Sequence, residues 1–164
     1  LDLDDAQVGL TGFGQYDVRV TPLQMAMMSA AVANKGLLMK PNLVEYIVNS
    51  SLAVLSQPTP SIFAQPVSEA TAERLKEMMV AAVSSGVSSN AKIDGVRVAG
   101  KTGTAQNGED EPYTLWFTGF APAEDARVAV AVVIEDGGGM GQSGFGNLLA
   151  APVARKIMQA VLGK

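Results

Sequence analysis

In residues 96–106, Val96-Arg97-Val98-Ala99-Gly100-Lys101-Thr102-Gly103-Thr104-Ala105-Gln106, alternating β-branched residues lead into one basic residue, Lys101, with two hydroxyls and a pair of glycines. The pattern predicts a strand at about 95–105 whose edge something else approaches closely, because glycine leaves the backbone bare. Two other chemical readings compete with it. Gly95 to Thr102 matches the phosphate-binding pattern Gly-x-x-x-x-Gly-Lys-Thr, and residues 130–136 end a strand on Glu135-Asp136 as a magnesium-positioning segment does. That pattern requires a strand before Gly95 and a helix from Lys101. Val96-Arg97-Val98 instead places strand residues inside the supposed loop, and Gly103, Asn107-Gly108 and Pro112 would break any helix after Lys101. The other reading is local: Ser88-Ser89-Asn90 fits Ser-x-Asn, and Ser89 to Lys92 fits Ser-x-x-Lys, a nucleophile with its base. A Ser and a Lys three apart face each other only on a helical turn. This pair follows a helix stop at Gly86, so a solvated turn is expected.

Composition narrows the chemistry further. The 164 residues contain neither Cys nor His, which removes disulfides, thiolate or imidazole metal sites, Cys nucleophiles and a Ser-His-Asp triad within this chain. Acid-base work at neutral pH falls to Lys, Asp, Glu or Tyr, or to groups supplied from elsewhere. A net charge of -4 and 17% charged residues argue against nucleic acid as a partner. With 48% hydrophobic residues the chain has the material for one globular core. No apolar run is long enough to span a membrane, and the opening Leu1-Asp2-Leu3-Asp4-Asp5 has neither an initiator Met nor a basic signal segment, as expected of a piece of something longer.

The elements that must position the strand can be read in order. Residues 9–15 are glycine-punctuated loop, and 16–20 are a candidate extended piece. Thr21 caps a helix with Pro22 at its first position and Gln24 completing a capping box; the body to Asn34 is apolar nearly all round and Gly36 ends it. An all-round apolar helix is expected to be buried on most sides. A short strand is expected at 43–48, an exposed Ser/Pro/Gln-rich connector at 49–66, and a second helix from Ser68 to about Ser84 with Ala72, Leu75, Met79, Ala82 and Val83 inward. Beyond the central strand come strands at 114–121 and 127–134, joined by short links as an antiparallel meander. The glycine cluster at 137–146 reads as a mobile loop. A last helix at about 148–162 is expected to hold Pro152 in its first turns and to turn Val153, Ile157 and Val161 inward. The sum is an α+β fold, an antiparallel sheet flanked by helices.

Set among these elements, Lys101-Thr102-Gly103 gains a third reading, the Lys-Thr-Gly element of penicillin-recognising serine acyltransferases. Thr21-Pro22-Leu23-Gln24 with Ala33-Asn34-Lys35-Gly36, Ala99 to Ala105, Trp116-Phe117-Thr118-Gly119-Phe120-Ala121-Pro122 and Ala150-Ala151-Pro152 fall in the order of one family across nearly the whole chain. The sequence resembles the C-terminal half of the transpeptidase domain of class B penicillin-binding proteins, nearest the penicillin-binding protein A branch of actinobacteria. The resemblance implies a penicillin-binding-protein/serine β-lactamase-like transpeptidase fold over residues 1–164. It also implies a D,D-transpeptidase that acylates a serine with the penultimate D-Ala of a peptidoglycan stem peptide and is stalled by β-lactams.

By the same resemblance Lys101 brings positive potential to the substrate carboxylate, Thr102 and Thr104 bind that carboxylate, and the Thr104 N–H is an oxyanion-hole donor. Gly103 keeps the wall clear for an extended peptide, and Gln106 joins the substrate-binding residues. No cofactor is implied. The family's nucleophilic Ser, its Lys base and its Ser-x-Asn lie upstream of this stretch, so the resemblance makes the missing N-terminal half of the domain a partner and the chain alone inactive. The complete protein is expected at the extracytoplasmic face of the membrane, anchored through a segment outside this chain. A penicillin-fold binding or sensor module without turnover is the alternative from another class, ahead of a nucleotide-binding protein.

Overall fold

The computed structural model describes residues 3–164. Leu1 and Asp2, read in the sequence as part of an opening without Met, lie outside them. A three-stranded antiparallel sheet of β5 (Ala99–Ala105), β6 (Thr114–Ala121) and β7 (Val128–Ile134), in that spatial order, carries the architecture. Its registers are continuous: Lys101 faces Thr118, Thr102 faces Phe117, and Thr118 in turn faces Ala131. The meander and the α+β class follow the sequence reading. The central strand begins at Ala99, because Ile93 and Val96 are joined by an isolated bridge that turns the chain just before it.

Helices cover both faces. Helix α2 (Pro22–Ala33) starts at Thr21 with the reciprocal capping box to Gln24 that the sequence predicts. It packs on β6 and β7, where Val32 and Ala33 meet a core of Val80, Ala99, Phe120 and Ala123. Ser29, buried, forms a hydroxyl pair with Thr118 at 2.6 Å, and the Thr118 hydroxyl also lies within donating distance of the Met25 and Val130 carbonyls. A polar clasp thus fixes the helix over an otherwise apolar face.

Helix α4 (Gly146–Leu162) covers the opposite face, with Ala150, Ala151, Ala154 and Met158 fully buried against Phe117, Ala121 and Val130. Val153, Ile157 and Val161 point outward, 41–51% exposed, contrary to the sequence expectation. The physical reason is distance: alanines let the helix lie close on the sheet, so its bulky residues are left on the outer face. Helix α3 (Glu69–Ser84) runs along the first half of β5 and contributes Val83 to one core and Val80 to the other. At its surface Arg97 pairs with Glu124 and Glu77, and the Glu124 hydrogen bond and charge, with Glu77 adding less, raise the Arg97 pKa.

Three further departures from the sequence reading are local. Helix α1 (Asp5–Thr11) occupies part of the stretch read as loop; its capping box joins Asp4 and Gln7. Residues 16–20 form no strand. The region 37–66 holds four two- or three-residue strands, β1 (Leu38–Met39) with β4 (Ile62–Ala64) and β2 (Ile47–Val48) with β3 (Val54–Ser56), all antiparallel. Of these only β2 falls within the strand expected at 43–48, and residues 43–46 are not strand. The glycine cluster forms two short 3-10 turns, Asp136–Gly139 and Gly141–Ser143.

Candidate active-site cleft

A cleft opens along the second half of β5, bounded by Phe13, Val18, Val20, Met25, Met28 and Trp116 and by the strand from Lys101 to Ala105. Lys101 and Gly103 share the sheet face of Trp116 and Thr118; Thr102 and Thr104 share the face of Phe117 and Leu115. This alternation separates the cation from the hydroxyls. Lys101 is exposed and donates from Nζ to the Thr102 carbonyl. It has no ion-pair partner among the described residues, whereas Lys35 and Lys76 each have one and Arg97 has two. A cation without an anion beside a cleft is free to meet an incoming carboxylate.

The two threonines share a face, as their spacing predicts, but not an environment. Thr104 is exposed. Thr102 is buried: its N–H donates to Ser88 Oγ at 3.1 Å, the Ser88 hydroxyl donates to Thr102 Oγ1 at 3.4 Å, and Thr102 Oγ1 donates to the Val87 carbonyl at 3.4 Å. Its hydroxyl is therefore engaged inward, while Thr104 lines the cleft from an exposed position.

Gly103 has a tighter constraint than an open wall: a methyl group there would come within 3.3 Å of Trp116 Cβ. Gly146, at the start of α4, is tighter still, since a Cβ would lie 2.4 Å from the Trp116 carbonyl oxygen and 2.8 Å from that of Gly103. The helix abuts the Lys-Thr-Gly strand backbone to backbone. Gln106 is exposed, and its N–H donates to the side chain of Gln15.

The segment 88–92 differs from its sequence reading. Ser88 is fully buried rather than solvated, and Ser89 to Ala91 form a 3-10 turn. Asn147 clasps this turn to α4: Asn90 N–H donates to Asn147 Oδ1 and Asn90 Nδ2 to the Asn147 carbonyl, both at 2.9 Å, and Asn147 Nδ2 reaches Ser89 Oγ at 3.4 Å. Ser89 is thus paired with Asn147 and not with Lys92, which is exposed, so no Ser-Lys dyad forms here. The phosphate-loop pattern also fails, because Lys101 and Thr102 are mid-strand and not at a helix start. Gln15 and Asn147 are site-supporting residues that sequence reasoning missed, and Ser88 is one that it placed in a solvated turn. Their contacts span 14 to 91 positions, and no short pattern announces them.

Comparison with known proteins agrees with this arrangement. The penicillin binding protein transpeptidase domain matches residues 4–159. Over 98% of its length the chain is 44% identical to peptidoglycan D,D-transpeptidase PbpA of Mycolicibacterium smegmatis, and it spans 33% of that relative. Stage V sporulation protein D of Bacillus subtilis is 36% identical over 91% of the chain and 24% of its own length. A solved structure of penicillin-binding protein A from Mycobacterium tuberculosis, in a ceftriaxone acyl-enzyme complex, superposes with a TM-score of 0.91 at 40% identity, covering 97% of this chain and 36% of that one. The chain spans about a third of the length of these penicillin-binding protein A relatives. By sequence and by fold, with the Lys-Thr-Gly strand lining the cleft, it belongs to the penicillin-binding protein transpeptidase domain family.

Proposed function

We propose that this segment is the C-terminal portion of a peptidoglycan D,D-transpeptidase domain and supplies one wall of its active site. In the reaction a serine hydroxyl from the complementary portion attacks the carbonyl of the penultimate D-Ala. The C–O bond forms, the C–N bond breaks, and the terminal D-Ala leaves as an amine that takes a proton. A stem-peptide amine then attacks the acyl ester, releasing the serine and completing the cross-link. The Thr104 N–H stabilises the oxyanion of each tetrahedral intermediate, a contribution of about 3 kcal/mol for one such donor. Lys101 supplies positive potential and Thr104 a hydroxyl for the donor carboxylate. Thr102 joins them only by giving up its 3.4 Å contacts to Ser88 and Val87. Gly103 and Gln106 line the path of an extended peptide along the strand edge.

The observation that carries this reading is Lys101, without an ion pair among the described residues, beside an exposed Thr104 on the outer strand of the sheet, within a chain that the transpeptidase family matches over residues 4–159. No helix among the described residues is long and apolar enough to cross a membrane. We assign the complete protein to the extracytoplasmic face of the membrane because its substrate is there. The test is intact-mass measurement of the full-length protein after incubation with a β-lactam. The expected result is a covalent adduct on a serine outside this segment, lost in Lys101→Ala, and no adduct on this segment purified alone. A full-length protein that binds stem peptide yet forms no acyl-enzyme is a binding module instead.

A further inference from the structure

The outer edge of β5 carries an alternating series of backbone groups. In an antiparallel ladder, successive residues turn their N–H and C=O alternately toward the partner strand and away from it. The Thr102 contact to Ser88 fixes the outward set as Thr102, Thr104 and Gln106. Side chains meet most of that set. Ser88 Oγ takes the Thr102 N–H, and Lys101 Nζ donates to the Thr102 carbonyl. Gln15 Nε2 donates to the Thr104 carbonyl at 3.4 Å, and Gln15 Oε1 takes the Gln106 N–H at 3.3 Å. Between them the Thr104 N–H has no side-chain partner among the described residues.

Gln15 satisfies an acceptor at one residue and a donor two residues on. That is the two-bond pattern one residue of a parallel partner strand makes, here made by a single primary amide. The peptide groups on both sides of the Thr104 N–H are thereby held: by Ser88, fully buried, on one side and by Gln15 on the other. An oxyanion donor is effective when its direction is set before charge develops. We infer that Gln15 is a positioning residue for acyl transfer: its amide stands in for a missing strand and keeps the Thr104 N–H aimed into the cleft. The inference rests on the transpeptidase reading above.

The experiment uses the full-length protein with Gln15→Ala and Gln15→Glu. The glutamate keeps the side-chain length and can accept the Gln106 N–H, but as a carboxylate it cannot donate to the Thr104 carbonyl. Stopped-flow acylation by a β-lactam separates the noncovalent Kd from the acylation rate constant. Both variants are expected to acylate at least tenfold more slowly with Kd and thermal midpoint close to wild type. Backbone amide exchange should speed up at Gln106 in Gln15→Ala and stay unchanged at Thr102, which Ser88 holds.

An acylation rate constant within twofold of wild type overturns the inference. So does a rate that rises, since the amide would then be blocking the edge, and so does a loss confined to thermal midpoint and active fraction. A wild-type protein that no β-lactam acylates sinks the transpeptidase reading itself. The exchange arm still decides, separately, whether Gln15 holds the strand.

Discussion

Ser88 shows how much a single buried hydroxyl can carry at the residue scale. Its Oγ accepts the Thr102 N–H in a fully buried setting, so removing it leaves a buried donor unpaired. Such a loss costs about 1–3 kcal/mol. We expect Ser88→Ala in the full-length protein to lower stability by about 2 kcal/mol in urea unfolding. It should also slow β-lactam acylation, because the Lys-Thr-Gly strand loses its fixed edge. A variant as stable as wild type would mean that a water replaces the contact. Lys101 behaves differently. It has no ion pair to lose among the described residues and is exposed, so Lys101→Ala should abolish acylation while leaving the unfolding free energy within about 0.5 kcal/mol of wild type. The sequence made Lys101, Thr102 and Thr104 legible because their types carry chemistry. It could not reveal that Thr102 is turned inward, since that depends on Ser88 and Val87, 14 and 15 positions away.

Among the elements, α4 and β5 depend on each other through a glycine. Gly146 brings the helix start against the carbonyls of Trp116 and Gly103, where a methyl group would sit at 2.4 and 2.8 Å from backbone oxygen. Backbone cannot yield as a flexible side chain can, so Gly146→Ala must lift the helix start off the sheet. Overpacking of this kind costs about 1–3 kcal/mol, and here the displacement would reach Asn147 and its clasp on the 89–91 turn. The expected result is a lowered thermal midpoint together with faster amide exchange at Asn90, whose N–H donates to Asn147. A folded variant with Asn90 exchange unchanged would show that the clasp is independent of the close approach.

Capping residues and periodicity made most elements readable: Thr21 with Gln24 fixed the start of α2, and Ser68 that of α3. The same signal stood unread at Asp4 with Gln7, which start α1. The inward face of α4 was misread for a physical reason. Bulk is no mark of burial on a helix that lies close to a sheet, which buries its smallest residues, here Ala150, Ala151 and Ala154. The strands at 38–64 are too short for any alternation to register.

For the whole molecule, the accessible surface bears on what else the fold needs. A folded monomer of 17.0 kDa has an accessible surface of about 7,700 Å² by the scaling of surface with mass. This chain exposes 10338 Å². The difference, about 2,600 Å², is on the scale that obligate interfaces bury. Part of it comes from the region 43–63, where Leu43, Leu52 and Phe63 are all more than half exposed. Part lies on the two helices that flank the sheet: Leu23 and Met28 on α2, and Val153, Ile157 and Val161 on α4, are apolar and open.

The apolar part of this surface favours association, at about 25 cal/mol per Å² removed from water. If a complementary portion of the domain packs here, the segment purified alone should bind a hydrophobic dye such as ANS and self-associate in sedimentation. Adding the complementary portion should suppress both and restore β-lactam acylation on that second polypeptide. A segment that stays monomeric, dye-silent and protease-resistant by itself would need no such partner. The site would then have to be completed by a loop of this chain presenting a nucleophile to Lys101 and Thr104, and the β-lactam adduct would form on this chain by itself, independent of its concentration.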